Sequence, residues 1–173
     1  MDTNSVTKIR AKDTTVVDTY PAGSQPASIV FDGTAIWVTN NIAGNSTVTK
    51  LNRDTGAIIG AYNVGNTPGG LAFDGANIWV ANLNGASLTL LRAYDGANLG
   101  TYSVNSAPSY LAFDGYYIWV THNGEGGGLT RLLARDPNIP GKVFATGHWP
   151  QGLAFDGANI WVANGNDGTL TKY

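Results

Sequence analysis

The sequence predicts an all-β fold, a β-propeller of four blades, and three observations carry that prediction. A ten-residue phrase recurs four times at a spacing of ~40 residues, the period of a four-stranded propeller blade. The composition favours turns over helices, with 23 Gly, 17 Asn and one Glu in 173 residues. Dense Gly, Asn and Pro punctuation also leaves no room for the two amphipathic helices that a helical repeat of this length needs. At 43% apolar content the chain has enough material for a core.

The phrase is Phe-Asp-Gly-x-x-Ile-Trp-Val-(Ala/Thr)-(Asn/His), at 31–40, 73–82, 113–122 and 155–164. Its tryptophans, Trp37, Trp79, Trp119 and Trp161, are 42, 40 and 42 residues apart. Each repeat reads as four strands. Strand a, Leu71-Ala72-Phe73 in the second repeat, runs into an Asp74-Gly75 turn, a dipeptide suited to a hairpin that needs positive φ. Strand b, Ile78-Trp79-Val80-Ala81, is apolar on both faces, as a strand between two neighbouring sheets should be. Strand c carries Leu88-Thr89-Leu90-Leu91 and its counterparts Val48-Thr49-Lys50-Leu51, Leu129-Thr130-Arg131-Leu132 and Leu170-Thr171-Lys172-Tyr173. Strand d, about 98–104, closes on an aromatic and a turn: Tyr62, Tyr102 and Phe144 hold that place.

The order along the chain frames a question of closure. The first 5–22 residues supply an extra c strand (Val6-Thr7-Lys8-Ile9) and an extra d strand ending at Tyr20. Repeats then follow at about 27–66, 67–108, 109–150 and 151–173, the last stopping at strand c, and the whole of 1–173 reads as one domain. An unpaired strand edge exposes free N–H and C=O groups, so the two ends are expected to share a blade in a velcro closure. Three arrangements satisfy this count: a four-bladed ring closed by its own termini, half of an eight-bladed ring made by two chains, or a piece of a longer parent. One copy of strand c is surplus in either closed ring.

Charge and composition exclude several functions. Ten basic against 12 acidic residues give a net charge of −2, too little positive charge to neutralise nucleic-acid phosphates. No apolar run approaches the ~20 residues of a bilayer span. The absence of cysteine removes disulfides, thiolate metal sites and a Cys nucleophile. Met1-Asp2-Thr3-Asn4 does not read as a signal peptide, so the compartment stays open, with an extracellular or cell-surface setting compatible with the Asn45-Ser46-Thr47 sequon.

The repeat supplies its own control, because residues common to all copies read as scaffold and departures read as candidates for function. Asp32, Asp74, Asp114 and Asp156 recur in every copy; each is followed by Gly, so a turn-shaping role outweighs a Ca²⁺- or Mg²⁺-binding carboxylate ring. No cofactor and no metal ligand is therefore assigned. The departures are His122, where other repeats have Asn40, Asn82 and Asn164, and His148-Trp149, where the d–a linkers read Ser24-Gln25, Asn66-Thr67 and Ser106-Ala107. Tyr110, read as a linker residue, stands at the Gly70 position, and the one Glu, Glu125, follows His122 in its b–c loop. These loops emerge on one propeller face, so His122, Tyr110, His148 and Trp149 are candidate ligand-binding residues. His122, Glu125 and His148 are the alternative catalytic set for acid–base work.

The phrases at 153–164 and 46–51 resemble the YVTN-type propeller repeats of archaeal and bacterial surface-layer proteins, and are similar to repeats of the virginiamycin B lyase-like (streptogramin lyase) superfamily. The resemblance covers nearly the whole chain and implies a propeller scaffold. The resemblance to streptogramin lyases implies a site of His and Glu with Mg²⁺, but their Trp-Phe-Thr-Glu run is replaced here by Trp-Val-(Ala/Thr)-(Asn/His), so no site residue transfers.

The sequence reading is a non-enzymatic binding or interaction module. Its expected partners are a carbohydrate or protein ligand, and a second copy of itself in a homodimer or higher assembly. The rival is a lyase- or hydrolase-type enzyme on the same loop face.

Overall fold

The computed structural model describes residues 4–42 and 46–173; Asn45 of the sequon and Met1 to Thr3 lie outside them. The described residues form 17 strands and no helix. β1 (Ser5–Ile9) and β2 (Val16–Pro21) make a two-stranded sheet. Three four-stranded antiparallel sheets follow. The first is β3 (Pro26–Phe31), β4 (Ala35–Asn40), β5 (Thr47–Asn52) and β6 (Ile58–Asn63). The second is β7 (Pro68–Phe73), β8 (Asn77–Asn82), β9 (Ser87–Arg92) and β10 (Asn98–Ser103). The third is β11 (Pro108–Phe113), β12 (Tyr117–His122), β13 (Gly128–Leu133) and the short β14 (Lys142–Phe144). A three-stranded sheet, β15 (Pro150–Phe155), β16 (Ile160–Asn164) and β17 (Thr169–Lys172), ends the chain.

Strand a is longer than its apolar run because a bulge admits extra residues. Pro68 pairs with Asn82 and Leu71 with Val80, with the register shift between them. The same bulge in β11 puts Tyr110 on the strand and not in the d–a linker that the sequence predicts for it.

The sheets stack face to face, and the strand-b tryptophan is the centre of each joint. Trp37 packs with Val48 of its own sheet against Leu71, Ile78, Val80 and Leu91 of the next. Trp79 and Leu88 meet Leu111, Ile118, Val120 and Leu132 in the same way, and Trp119 and Leu129 meet Ile160 and Val162. Trp37 and Trp79 are fully buried. Strand b is buried on both of its faces, which is why its run is continuously apolar. β3 packs on β7, β7 on β11 and β11 on β15, and among the described residues β15 and β3 share no packing of that extent. No ladder joins β17 to β1 or β2.

Candidate functional site

The repeated Asp is a scaffold group with a specific task. In every copy one carboxylate oxygen accepts two backbone N–H groups of its own turn, and the other accepts the indole N–H of the tryptophan five residues on. The indole distances are 2.7 Å (Asp32–Trp37), 2.8 Å (Asp74–Trp79), 2.6 Å (Asp114–Trp119) and 2.7 Å (Asp156–Trp161). An indole buried between sheets needs such an acceptor. At Asp32 burial works to raise the pKa, but the bonds from Trp37, Ala35 and Thr34 outweigh it and hold the carboxyl below its ordinary range. These oxygens are committed locally, and among the described residues no group of three His, Asp or Glu side chains converges as metal ligands.

The last residue of strand b ties that strand to strand c. The Asn82 side-chain amide donates to Ser87 and, at 2.9 Å, to Thr89. Asn40 reaches Thr49 at 2.7 Å and Asn164 reaches Thr171 at 2.8 Å. His122 takes the same seat: its Nε2 lies 2.7 Å from the Thr130 hydroxyl, and its Nδ1 3.1 Å from the Ser106 carbonyl. A carbonyl can only accept, so Nδ1 carries the proton and Nε2 accepts from Thr130. Burial pushes the His122 pKa below its ordinary 6.5, with the backbone bonds opposing. Both ring nitrogens of this neutral imidazole are engaged.

The d–a linkers dock onto the b–c loops, which confirms that the two sets of loops share one face. Gln25, Thr67, Ala107 and Trp149 all adopt left-handed backbone, with φ of 53°, 58°, 53° and 52°. Each offers its carbonyl to a b–c loop N–H, from Asn41, Leu83, Asn123 and Gly165 respectively. The Trp149 backbone is thus ordinary scaffold; only its indole, 40% exposed, is peculiar to this repeat.

The structure brings part of the candidate set together. His122 and Glu125 line one cleft of about 510 Å³, with Asn105, Asn123, Gly124 and Val143. Trp149 touches its far side through an N–H bond to the Gly124 carbonyl at 3.0 Å. His148 instead turns to the last sheet: Asp167 accepts its backbone N–H at 2.7 Å and lies 3.1 Å from its Nδ1. Tyr110 stands half exposed on β11, apart from the cleft lining.

Sequence reading missed Asn123 and Asp167. The Asn123 Oδ1 is buried without a hydrogen-bond partner, as are the Oδ1 atoms of the strand-tying Asn40 and Asn82, so what sets Asn123 apart is its place in the cleft beside Glu125. No departure marked it, since the first repeat also places an asparagine there, Asn41, while the others have Leu83 and Gly165. With an orphaned amide oxygen, a carboxylate and glycine backbone around it, the cleft suits a ligand rich in N–H or O–H donors.

No protein-family model matches the chain, and no curated protein matches it in sequence. Solved structures do match. A structure titled U3-55K superposes with a TM-score of 0.82 at 12% identity, over 99% of this chain and 55% of that one. A putative 6-phosphogluconolactonase from Bacteroides uniformis gives 0.77 at 16% identity, over 98% and 60%. Streptogramin B lyase gives 0.70 at 20% identity, over 99% and 62%. The fold is that of a β-propeller. The chain spans little more than half the length of these structures, and at such identities the likeness concerns architecture alone.

Proposed function

We propose that this chain is a non-enzymatic propeller module that binds a ligand on its b–c and d–a loop face and associates with copies of itself. The single observation that carries the ligand reading is the cleft of about 510 Å³ that gathers Glu125, the one Glu of the chain, with Asn105, Asn123 and glycine backbone. A glycan is the ligand class that fits best: its hydroxyls donate to an amide oxygen and a carboxylate, and its ring face can stack on the exposed Trp149, whose backbone N–H bonds the Gly124 carbonyl of the cleft. His122 contributes its ring edge to the cleft wall while its nitrogens remain with Ser106 and Thr130. The repeat phrases resemble those of YVTN-type and virginiamycin B lyase-like propellers.

A glycan array followed by calorimetry tests this. The intact chain should bind a glycan class, and Asn123→Ala should weaken that binding about tenfold, the worth of roughly one hydrogen bond to a buried acceptor. Glu125→Gln should weaken it less, because the amide retains an acceptor oxygen. A chain that binds no glycan but eliminates or hydrolyses a lactone substrate, with turnover lost on replacing His122 and His148 by Ala, would overturn the reading in favour of the lyase- or hydrolase-type enzyme.

A further inference from the structure

Each inner joint holds its tryptophan in one set of residues. Trp37 is enclosed by Val48 and Tyr62 of its own sheet and by Leu71, Ile78, Leu91 and Ala93 of the next. The repeat-equivalent positions one sheet earlier are Val6, Tyr20, Ile29, Ile36, Leu51 and Arg53. These six residues line an apolar cavity between the β1–β2 sheet and the first four-stranded sheet, and no tryptophan fills it. The fittings around it are already assembled. Tyr20 lies against Gly56 as Tyr62 lies against Gly96. The Lys8 Nζ donates to the Arg53 carbonyl at 3.0 Å, as the Lys50 Nζ donates to the Ala93 carbonyl at 2.7 Å.

The other end of the chain presents the missing part. Trp161 is held by Asp156 and capped by Lys172, 5.2 Å from its ring, as Lys50 caps Trp37 at 5.0 Å. Yet it is only half-buried, and it lacks the aromatic neighbour that Trp37 has in Tyr62, 5.5 Å away. Beside it Leu170 is 67% exposed, whereas Val48, Leu88 and Leu129 are fully buried at the same position. On the socket side Ile29 is 57% exposed, against 7% for its equivalent Leu71. One edge is a socket without a plug and the other a plug without a socket.

We propose that Trp161 of one chain enters the Val6–Tyr20–Ile29–Ile36–Leu51 cavity of a second copy, and that two copies joined at both ends form one closed ring. The inference rests on the self-association half of the proposed function and supplies its contact. A second copy is the occupant because its free edge carries the repeat equivalent of the very residue the socket lacks: Trp161, bonded to Asp156 at 2.7 Å as Trp37 is to Asp32 at 2.7 Å. Strands β15 and β16 of one copy then complete the blade that β1 and β2 of the other begin, with β1 taking the place of β17, the surplus copy of strand c, beside β16 and Lys8 taking that of Lys172. The joint is isologous in the pair as a whole, each copy giving one plug and one socket.

Sedimentation equilibrium at micromolar concentration tests it. The intact chain should have twice the 18.1 kDa chain mass. Trp161→Ala and Ile29→Arg, which alter plug and socket at positions exposed or half-exposed in the single chain, should each raise the dissociation constant by about 30-fold or more, as loss of a buried aromatic anchor does. An equimolar mixture of the two variants should recover dimer, because it retains one intact joint. A monomer for the unaltered chain, a larger open-ended assembly, or a dimer indifferent to both variants would each overturn the proposal. The Asn123 cleft lies within one chain, so glycan binding by a monomer would leave the ligand reading standing while this one fell.

Discussion

His122 does for the third sheet what asparagine does for its neighbours, and this changes what the residue predicts. The folded chain holds the imidazole neutral, with a pKa lowered by burial, while the unfolded chain titrates it at an ordinary 6.5. Below that value the unfolded state takes up a proton that the folded state refuses. His122 therefore costs nothing above about pH 6.5, and stability falls as pH drops through 6.5 toward the lowered folded value. His122→Asn should flatten this fall, measured as urea midpoints at about pH 7.5 and 5.5, and should keep the strand tie to Thr130. The Asp–indole bond gives a second prediction. Asp32→Ala leaves the fully buried Trp37 N–H unpaired and should cost about 1–3 kcal/mol by urea unfolding, whereas Asp54→Ala at an exposed turn should stay within about 0.5 kcal/mol. Repetition made Asp32 and Trp37 legible as scaffold, since all four copies share them. It could not show that they bond, because a turn must first fold residue 32 back over residue 37. It also marked His122 as a departure without revealing that Thr130, shared with the other copies as Thr49, Thr89 and Thr171, gives it the same partner.

At the scale of the strands, the c–d turn is a packing surface as well as a connection. Gly96 has φ +77°, and a Cβ there would run into the Tyr62 ring of the preceding sheet. Gly115, in an a–b turn, has φ +99° but open space around it. Gly115→Ala should therefore cost only the left-handed strain of about 1–2 kcal/mol, while Gly96→Ala should add a packing penalty and reach about 2–4 kcal/mol. Comparing the two midpoints by chemical denaturation separates backbone strain from contact between sheets; equal losses would mean that Tyr62 yields freely. The strand order a, b, c, d was legible because Asp-Gly turns, apolar runs and Thr-centred phrases each mark one element. The bulge at the start of strand a was not, since Pro68-Gly69-Gly70 and Pro108-Ser109-Tyr110 carry no alternation and only their pairing with Asn82 and His122 sets the register. That is why Tyr110 belongs to β11 and stands clear of the cleft.

Across the whole molecule, the number of repeats could be read from the sequence but their pitch could not, because the angle between sheets arises from how Trp37, Tyr62 and Leu91 fill one gap together. Whether four such gaps turn far enough to close is a sum of small angles that no single residue announces. What the structure adds is a gradient of burial along the stack: β8 and β9 are almost wholly enclosed, while β17 and β2 are mostly open to solvent. Few buried contacts and a free strand edge mean low local opening energy, so amide hydrogen exchange in the dilute chain should be fastest in β1, β2 and β17 and slowest in β8, β9 and β12. If the ends meet across two copies, raising the protein concentration should slow exchange in β1 and β16 and leave β8 and β9 unchanged. The argument is one of location: a ring closed within a single chain would protect both ends at every concentration, and non-specific association would not single out the strands beside Tyr20 and Trp161.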